Sequence, residues 1–264
     1  MAQAVTQTAA HKAALEGKPL EVCGLKLWGI SMGQYEEWAK CKNVWITRQS
    51  TFPVFCISML FLDALLALDL KALEMTGAPA GYINRILYGL ALALRKDANS
   101  IRDEDISIAI DEKTQSLKAI RVRDGDGITE ITPNRFNEIR KAVVWMQGDE
   151  LPDESLNDEL LETERFLAER NNTNLRYSLI DMEASVALAY GVRTRDVMAW
   201  SILEFETARR AIDRSKKHMI CGIGATNGCK WEGGNPYPSW CFDRENNGTK
   251  ALISQSEFAK TKTK

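Results

Sequence analysis

Residues 54–68, VFCISMLFLDALLAL, are the longest apolar run in the chain, and their length decides what the run can become. A bilayer crossing takes about 20 apolar residues. This run has 15 and carries Asp63. It therefore predicts a buried helix over about Ile57–Leu73, set off by Pro53, whose ring removes a backbone donor. Gly77, Pro79 and Gly81 signal a turn. A second apolar helix follows in GYINRILYGLALALRK, closing on Arg95 and Lys96 as the helix dipole favours. Both segments are apolar nearly all round, which predicts the most buried elements of the fold.

The rest of the chain supplies enough material for a core around them. Of 264 residues, 45% are hydrophobic and 27% charged, an ordinary globular balance. At about 150 residues per domain this length gives one or two domains. A core of this size needs neither disulfide nor metal to hold it. Lys plus Arg number 34 against 36 Asp plus Glu, so the clustered cationic surface that nucleic-acid binding demands is not expected. The opening MAQAVTQTAAHKAALEGK lacks the apolar stretch of a secretory signal. The six cysteines are Cys23, Cys41, Cys56, Cys221, Cys229 and Cys241, too sparse for a disulfide framework. They read as reduced thiols of a cytoplasmic protein with no membrane segment.

Local patterns set the expected order of elements. Residues 1–19 are small and polar and read as a flexible tail. LEVCGLKLWGI, residues 20–30, reads as a strand or hairpin edge. Ser31 is placed to cap a short helix over Met32–Lys42, with Tyr35 and Trp38 on one face. Ile106, Ile108 and Ile110 alternate with smaller residues, a period of two. Leu117–Arg123 and Ile128–Ile131 flank Asp124-Gly125-Asp126-Gly127, a strong hairpin signal. Thr132-Pro133 starts a helix whose Phe136, Ile139, Val143 and Met146 share a face. An acidic, one-sided helix is expected over about Glu154–Arg170, followed by a loop at Asn171–Asn174. Leu179, Met182, Val186 and Tyr190 define another helix, closed by Gly191. Thr194 begins the next, with Met198, Ile202, Phe205 and Ile212 in one stripe. From Cys221 onward the chain is rich in Gly, Asn, Pro and aromatics and reads as irregular. The expected class is α+β, mainly helical: apolar helices, a small antiparallel meander and an irregular C-terminal segment. The expected division is an N-terminal α+β domain over 20–148 and a C-terminal helical domain with an aromatic loop over 149–250. Residues 251–264 form a second flexible tail.

Candidate chemistry is thin. His218, Cys221, Cys229 and Cys241 form an HxxC-x7-C-x11-C array, four soft ligands within 24 residues that suit tetrahedral zinc. The array lacks a paired CxxC knuckle, so the thiols read as inert and no cofactor is expected. Asp124-Gly125-Asp126-Gly127 faintly resembles a calcium loop, but its twelfth position is Arg135 where a bidentate Glu belongs. The chain has two histidines, of which His11 lies in the polar N-terminal stretch. It has no GxSxG, Walker, GxGxxG or HExxH motif. These features read as non-enzymatic. The densest unusual feature is KWEGGNPYPSWCFDR, where Trp231, Tyr237, Trp240 and Phe242 crowd a Gly/Pro loop. Rings bury large area at low entropy cost, so they suit either an interface with another protein or a loop that packs onto its own domain.

Three stretches together carry a resemblance: ITPNRFNEIRKAVVWMQGDELPDE (131–154), YGVRTRDVMAWSILEFETARRAIDR (190–214) and ICGIGATNGCKWEGGNPYPSW (220–240). In this order they resemble proteins encoded in the tail modules of phages and prophages of Firmicutes, near the tape-measure gene. The second is similar in style to tail assembly chaperones, in which a helix carries an aromatic at the position of Phe205. The resemblance implies a non-catalytic role: a helical helper that keeps the long tape-measure protein soluble in the host cytoplasm until tail tube protein assembles around it. It implies a protein partner. The residues expected to make the contact are Trp231, Tyr237 and Trp240, with Trp200 and Phe205 as second choice, and self-association into a homo-oligomer stays open. Alternatives of other classes are a structural tail or baseplate component of the virion, or a phage protein that binds a host factor.

Overall fold

The computed structural model describes residues 5–95, 105–111, 116–124, 127–154, 178–230 and Tyr237. The chain divides into two compact units. One comprises Met1–Glu154 with Arg195–Glu206, the other Ser155–Thr194 with Thr207–Lys264. The division expected at 148/149 thus falls near Glu154, and a later segment returns to the first unit. The architecture is α+β and mainly helical, as the sequence predicts.

The first unit begins with a helix where a fraying tail was expected. Helix α1 (Gln7–Leu15) starts at Thr6, whose side chain accepts from the Ala9 N–H. Ala10 and Ala14 are buried, and the helix packs on α5 (Pro133–Met146). The polar composition of residues 1–19 hid two small apolar positions one turn apart. Their short side chains let one helix backbone approach another closely. Strands β1 (Leu20–Val22) and β2 (Leu25–Leu27) then form the expected hairpin. Its turn places Cys23 (φ 53°) and Gly24 in left-handed conformations.

Met32–Gln34 is a single 3-10 turn leading into α2 (Tyr35–Trp45), which runs three residues past the expected end. Two further 3-10 turns, Gln49–Thr51 and Val54–Cys56, delay the next helix, α3 (Phe61–Thr76), by four residues relative to expectation. Gly77 closes α3 and Gly81 opens α4 (Tyr82–Ala93), both left-handed. Gly81 has no side chain with which to cap α4. Asp69 of α3 does so instead: its Oδ1 and Oδ2 accept from the Tyr82 and Ile83 N–H groups at 3.0 and 2.9 Å. A carboxylate at a helix N-terminus satisfies orphan donors and complements the dipole.

Strands β3 (Ile106–Ile110), β4 (Leu117–Asp124) and β5 (Gly127–Ile131) form an antiparallel meander in that order. Ile106 faces Val122, and Ile120 faces Ile131. The sheet packs on α3 and α5 through β4. In α5 the predicted stripe is fully buried: Phe136, Ile139, Val143 and Met146 are each at 0% exposure. Helix α5 therefore joins α3 and α4 as a central element, and the C-terminal end of α3 leaves Leu73 and Met75 exposed. Neither feature was expected.

An aromatic chain links these helices. Trp38 and Trp45 lie 6.1 Å apart, Trp45 and Phe136 5.5 Å, Phe136 and Phe61 6.3 Å, and Phe61 and Phe52 6.0 Å. Arg140 is buried among them. Its guanidinium lies 3.8 Å over Phe61 and donates to the Trp45 and Thr47 carbonyls. Burial pulls its pKa down to about 10, partly opposed by Glu154. Burying a cation this way costs less because the carbonyls and the ring face replace water.

The helix expected from Thr194 is interrupted. Helix α7 (Thr194–Val197) is one turn long, and α8 (Ile202–Thr226) follows only after residues 198–201. The interruption lies in the first unit, where Met32 and Gly33 donate to the carbonyls of Trp200 and Met198, and Ile202 donates to that of Ile30. Those long-range bonds replace helical ones. Helix α8 extends through Cys221–Thr226, so this part of the segment expected to be irregular is helical. In the second unit, α6 (Leu179–Tyr190) has the predicted bounds. Ser178 caps its start and left-handed Gly191 its end. The acidic helix expected over 154–170 and the tail at 251–264 lie outside the described residues. Among the described residues, no helix is long and apolar enough to cross a membrane.

Candidate functional site

The apolar run that opened the sequence reading is split by the structure. Phe61, Leu62, Leu65 and Leu66 are buried, as expected of a core helix. Val54, Phe55, Ile57, Met59 and Leu60 are exposed, Val54 by 86%. Hydrophobicity alone does not separate the two halves. Pro53 and the 3-10 turn after it carry residues 54–60 across the surface before α3 begins.

This exposed segment is held in place. The Gln49 Nε2 group donates to the carbonyls of Cys56 and Ile57 at 3.3 Å each and to that of Met59 at 2.5 Å. Phe55 leans toward α3, where Lys71 Nζ lies 4.4 Å from its ring centre. Between the segment and α3 runs a groove of about 460 Å³, lined by Phe55, Met59, Ala67, Leu70, Lys71 and Glu74. Asp63 and Ser116 close one end, with Asp63 Oδ1 accepting from the Leu117 N–H at 3.1 Å. Positions 63, 67, 70, 71 and 74 are one face of a helix. The groove floor is thus a helical stripe and one wall a pinned loop. Such a shape suits an apolar stripe of another helix.

Of the sequence-derived contact residues, Tyr237, Trp200 and Phe205 fall among the described residues. Trp231, Trp240 and Cys241 lie outside the described residues. Tyr237 is half-buried, its carbonyl 2.8 Å from His218 Nδ1 and its ring 5.6 Å from Lys217 Nζ. Trp200 is half-buried, and its carbonyl accepts from Met32. Phe205 is 1% exposed and belongs to the core of the first unit, which corrects its assignment as a contact residue. The first turn of α8 points Ile202, Leu203 and Phe205 inward.

His218 and Cys221 sit one turn apart on α8, with Cys221 half-buried and Cys229 exposed beyond the helix end. Among the described residues, no three His, Cys, Asp or Glu side chains converge to hold a metal ion. Cys23, Cys41, Cys56, Cys221 and Cys229 are free thiols. Burial pushes the Cys41 thiol up to about 12 and raises those of Cys23 and Cys56. A thiol raised by burial is a poor nucleophile, and Cys41 and Cys56 are packed in the core. The sequence reading missed Val54–Leu60 as a surface. Its available signals were Pro53, which ends helical continuity, and Gln49, an amide long enough to reach the carbonyls beyond the next turn. Compared with known proteins, the chain matches no family model, no curated protein and no solved structure.

Proposed function

We propose that this chain is a non-catalytic binding protein of phage tail morphogenesis, a tail assembly chaperone or tail-module interaction protein that engages the tape-measure protein in the host cytoplasm. The observation that supports the reading is the exposed apolar segment Val54–Leu60, pinned by Gln49 beside the α3 groove. Keeping such side chains in water is unfavourable: fully burying one that starts exposed stabilises by about 1.5–3 kcal/mol, and Phe55, Met59 and Leu60, already more than half covered, gain less. Because the loop is already held by hydrogen bonds, little of that gain is spent on fixing it. A tape-measure protein is long and apolar-striped, the chemistry that such a groove receives.

The test is co-expression with the tape-measure protein of the same tail module, followed by affinity capture through this chain. The native chain is expected to retain and solubilise the partner. Val54→Asp combined with Phe55→Ala is expected to lose it, with an unchanged helical circular-dichroism spectrum. Replacing Trp231 and Trp240 by Ala tests the aromatic loop in the same assay. Undiminished capture by both variants, or none by the native chain, overturns the proposal.

A further inference from the structure

A second cleft in the first unit is polar. It has a volume of about 350 Å³ and lies between the end of α1, the link from β2 to α2, the end of α4 and the start of α8. Ser31, Gln34, Arg95, Ser201 and Glu204 supply its polar groups. Gly29 makes its wall tight: a Cβ there would meet the Ser201 Cβ at 3.0 Å and the Ala14 Cβ at 3.4 Å.

Arg95 and Glu204, of opposite charge, both line the cleft and form no ion pair with each other. Arg95 closes α4 in a left-handed conformation (φ 56°), where glycine is the unstrained choice. Its guanidinium stacks 4.0 Å over Trp28. Among the described residues it makes no ion pair and donates no hydrogen bond. Stacking through the face leaves the N–H fork free at the edge. Glu204 is half-buried, and burial raises its carboxyl while the Ser201 backbone N–H partly offsets this. Among the described residues no cation pairs with Glu204. The Gln34 Oε1 lies 3.3 Å from the Ser31 hydroxyl, and its amide nitrogen donates to no described group.

Ser201, by contrast, is committed. Its hydroxyl donates to the Ala14 carbonyl at 3.3 Å and accepts from the Glu204 N–H at 3.1 Å. It is wall rather than ligand group, and it fixes Glu204 in place.

From this arrangement we infer that the cleft binds a small zwitterion of the α-amino acid class. The carboxylate of the ligand meets the Arg95 fork and the Gln34 amide, and its ammonium meets Glu204. An anion alone would face Glu204, and a cation alone would face Arg95, so only a molecule carrying both charges satisfies the lining. The volume lies at the small end of the range for ligand sites, and the polar walls favour a small or polar side chain. This inference is independent of the apolar groove and of what occupies it.

Calorimetric titration of the full chain with the twenty standard amino acids tests it, with propionate and ethylamine as probes that carry one charge each. At least one small or polar amino acid is expected to bind at millimolar concentration or better. Propionate and ethylamine are expected to bind at least about tenfold more weakly, because each leaves one charge of the cleft unmatched. Arg95→Gln and Glu204→Gln are each expected to weaken the amino acid by about tenfold or more. Glutamine still serves at the third position of a helix, so the Glu204 variant retains its fold. Circular dichroism confirms this for both. Absence of binding across the panel, propionate binding as tightly as the amino acid, or folded variants that bind like the native chain would each overturn the assignment.

Discussion

Gly89 lies in the middle of α4, where an alanine would ordinarily strengthen a helix by about 1 kcal/mol. The structure reverses that expectation. A Cβ at Gly89 would overlap Trp45 Nε1, sit 2.9 Å from Cε2 of the same ring, and lie 3.2 Å from Cys41 Sγ. Trp45 is at 0% exposure and cannot swing into solvent. Its indole packs on Trp38 and Phe136 and donates to the Arg85 carbonyl at 3.4 Å. Overpacking of this kind costs about 1–3 kcal/mol. Each displaced aromatic pair adds about 0.5–1.5 kcal/mol, and the lost hydrogen bond about 1 kcal/mol. Set against the helical gain of about 1 kcal/mol, Gly89→Ala should destabilise the first unit by about 2–6 kcal/mol. Urea unfolding followed by tryptophan emission measures this as a lower midpoint at unchanged slope. Gly222→Ala is the matched control. Among the described residues nothing lies within 4 Å of its added methyl, so it should be neutral or gain up to about 1 kcal/mol. A Gly89→Ala protein as stable as the native chain would refute the claim that helix α4 is fitted to the Trp45 ring.

Two further outcomes follow from side chains that tie elements together. Asp69→Ala removes both acceptors at the start of α4 and should cost about 2–3 kcal/mol, visible as a lower thermal midpoint in circular dichroism. Asp69→Asn, which keeps one acceptor, should recover part of the loss. Glu138 accepts from Lys141 at 2.8 Å, and that bond, with the Val5 N–H, holds its carboxyl below the ordinary 4.5. Its stabilisation is therefore present above pH 4.5 and disappears as pH falls through the lower folded-state value. Glu138→Gln should lower stability by under about 1 kcal/mol at pH 7, because the pair is a third exposed, and by nothing at strongly acid pH. A difference that persists in acid would show that the carboxylate charge is not what matters.

The elements most legible in the sequence were those in which one local rule decides the outcome. The α5 stripe could be read because four apolar residues at helical spacing have one way to be buried together. The α6 cap could be read because Gly191 adopts φ 67° at little cost. The meander followed from alternation around an Asp-Gly turn. What stayed hidden depended on partners distant in sequence. Helix α1, with Ala10 and Ala14 buried, packs on α5 more than a hundred residues away. The helix that should have run unbroken from Thr194 is interrupted because Ile30, Met32 and Gly33 take over its backbone groups. Arg140 looks like a surface charge on an amphipathic helix until Trp45, Thr47 and Phe61 surround it.

The same limit explains why the exposed side chains of residues 54–60 were not expected as a surface. An apolar residue at an interface and one in a core obey the same transfer free energy, so composition ranks them alike. They differ in whether the chain itself supplies the cover. In residues 54–68 the first part is held outward by Gln49 and the second is covered by α5 and the meander. Gln49 stabilises an arrangement that leaves apolar side chains wet, and a loop free to collapse would bury them. A restraint that opposes local burial makes sense where the cover comes from outside the chain. Replacing Gln49 by Ala separates these roles, because it leaves every groove side chain in place while releasing the loop that presents them.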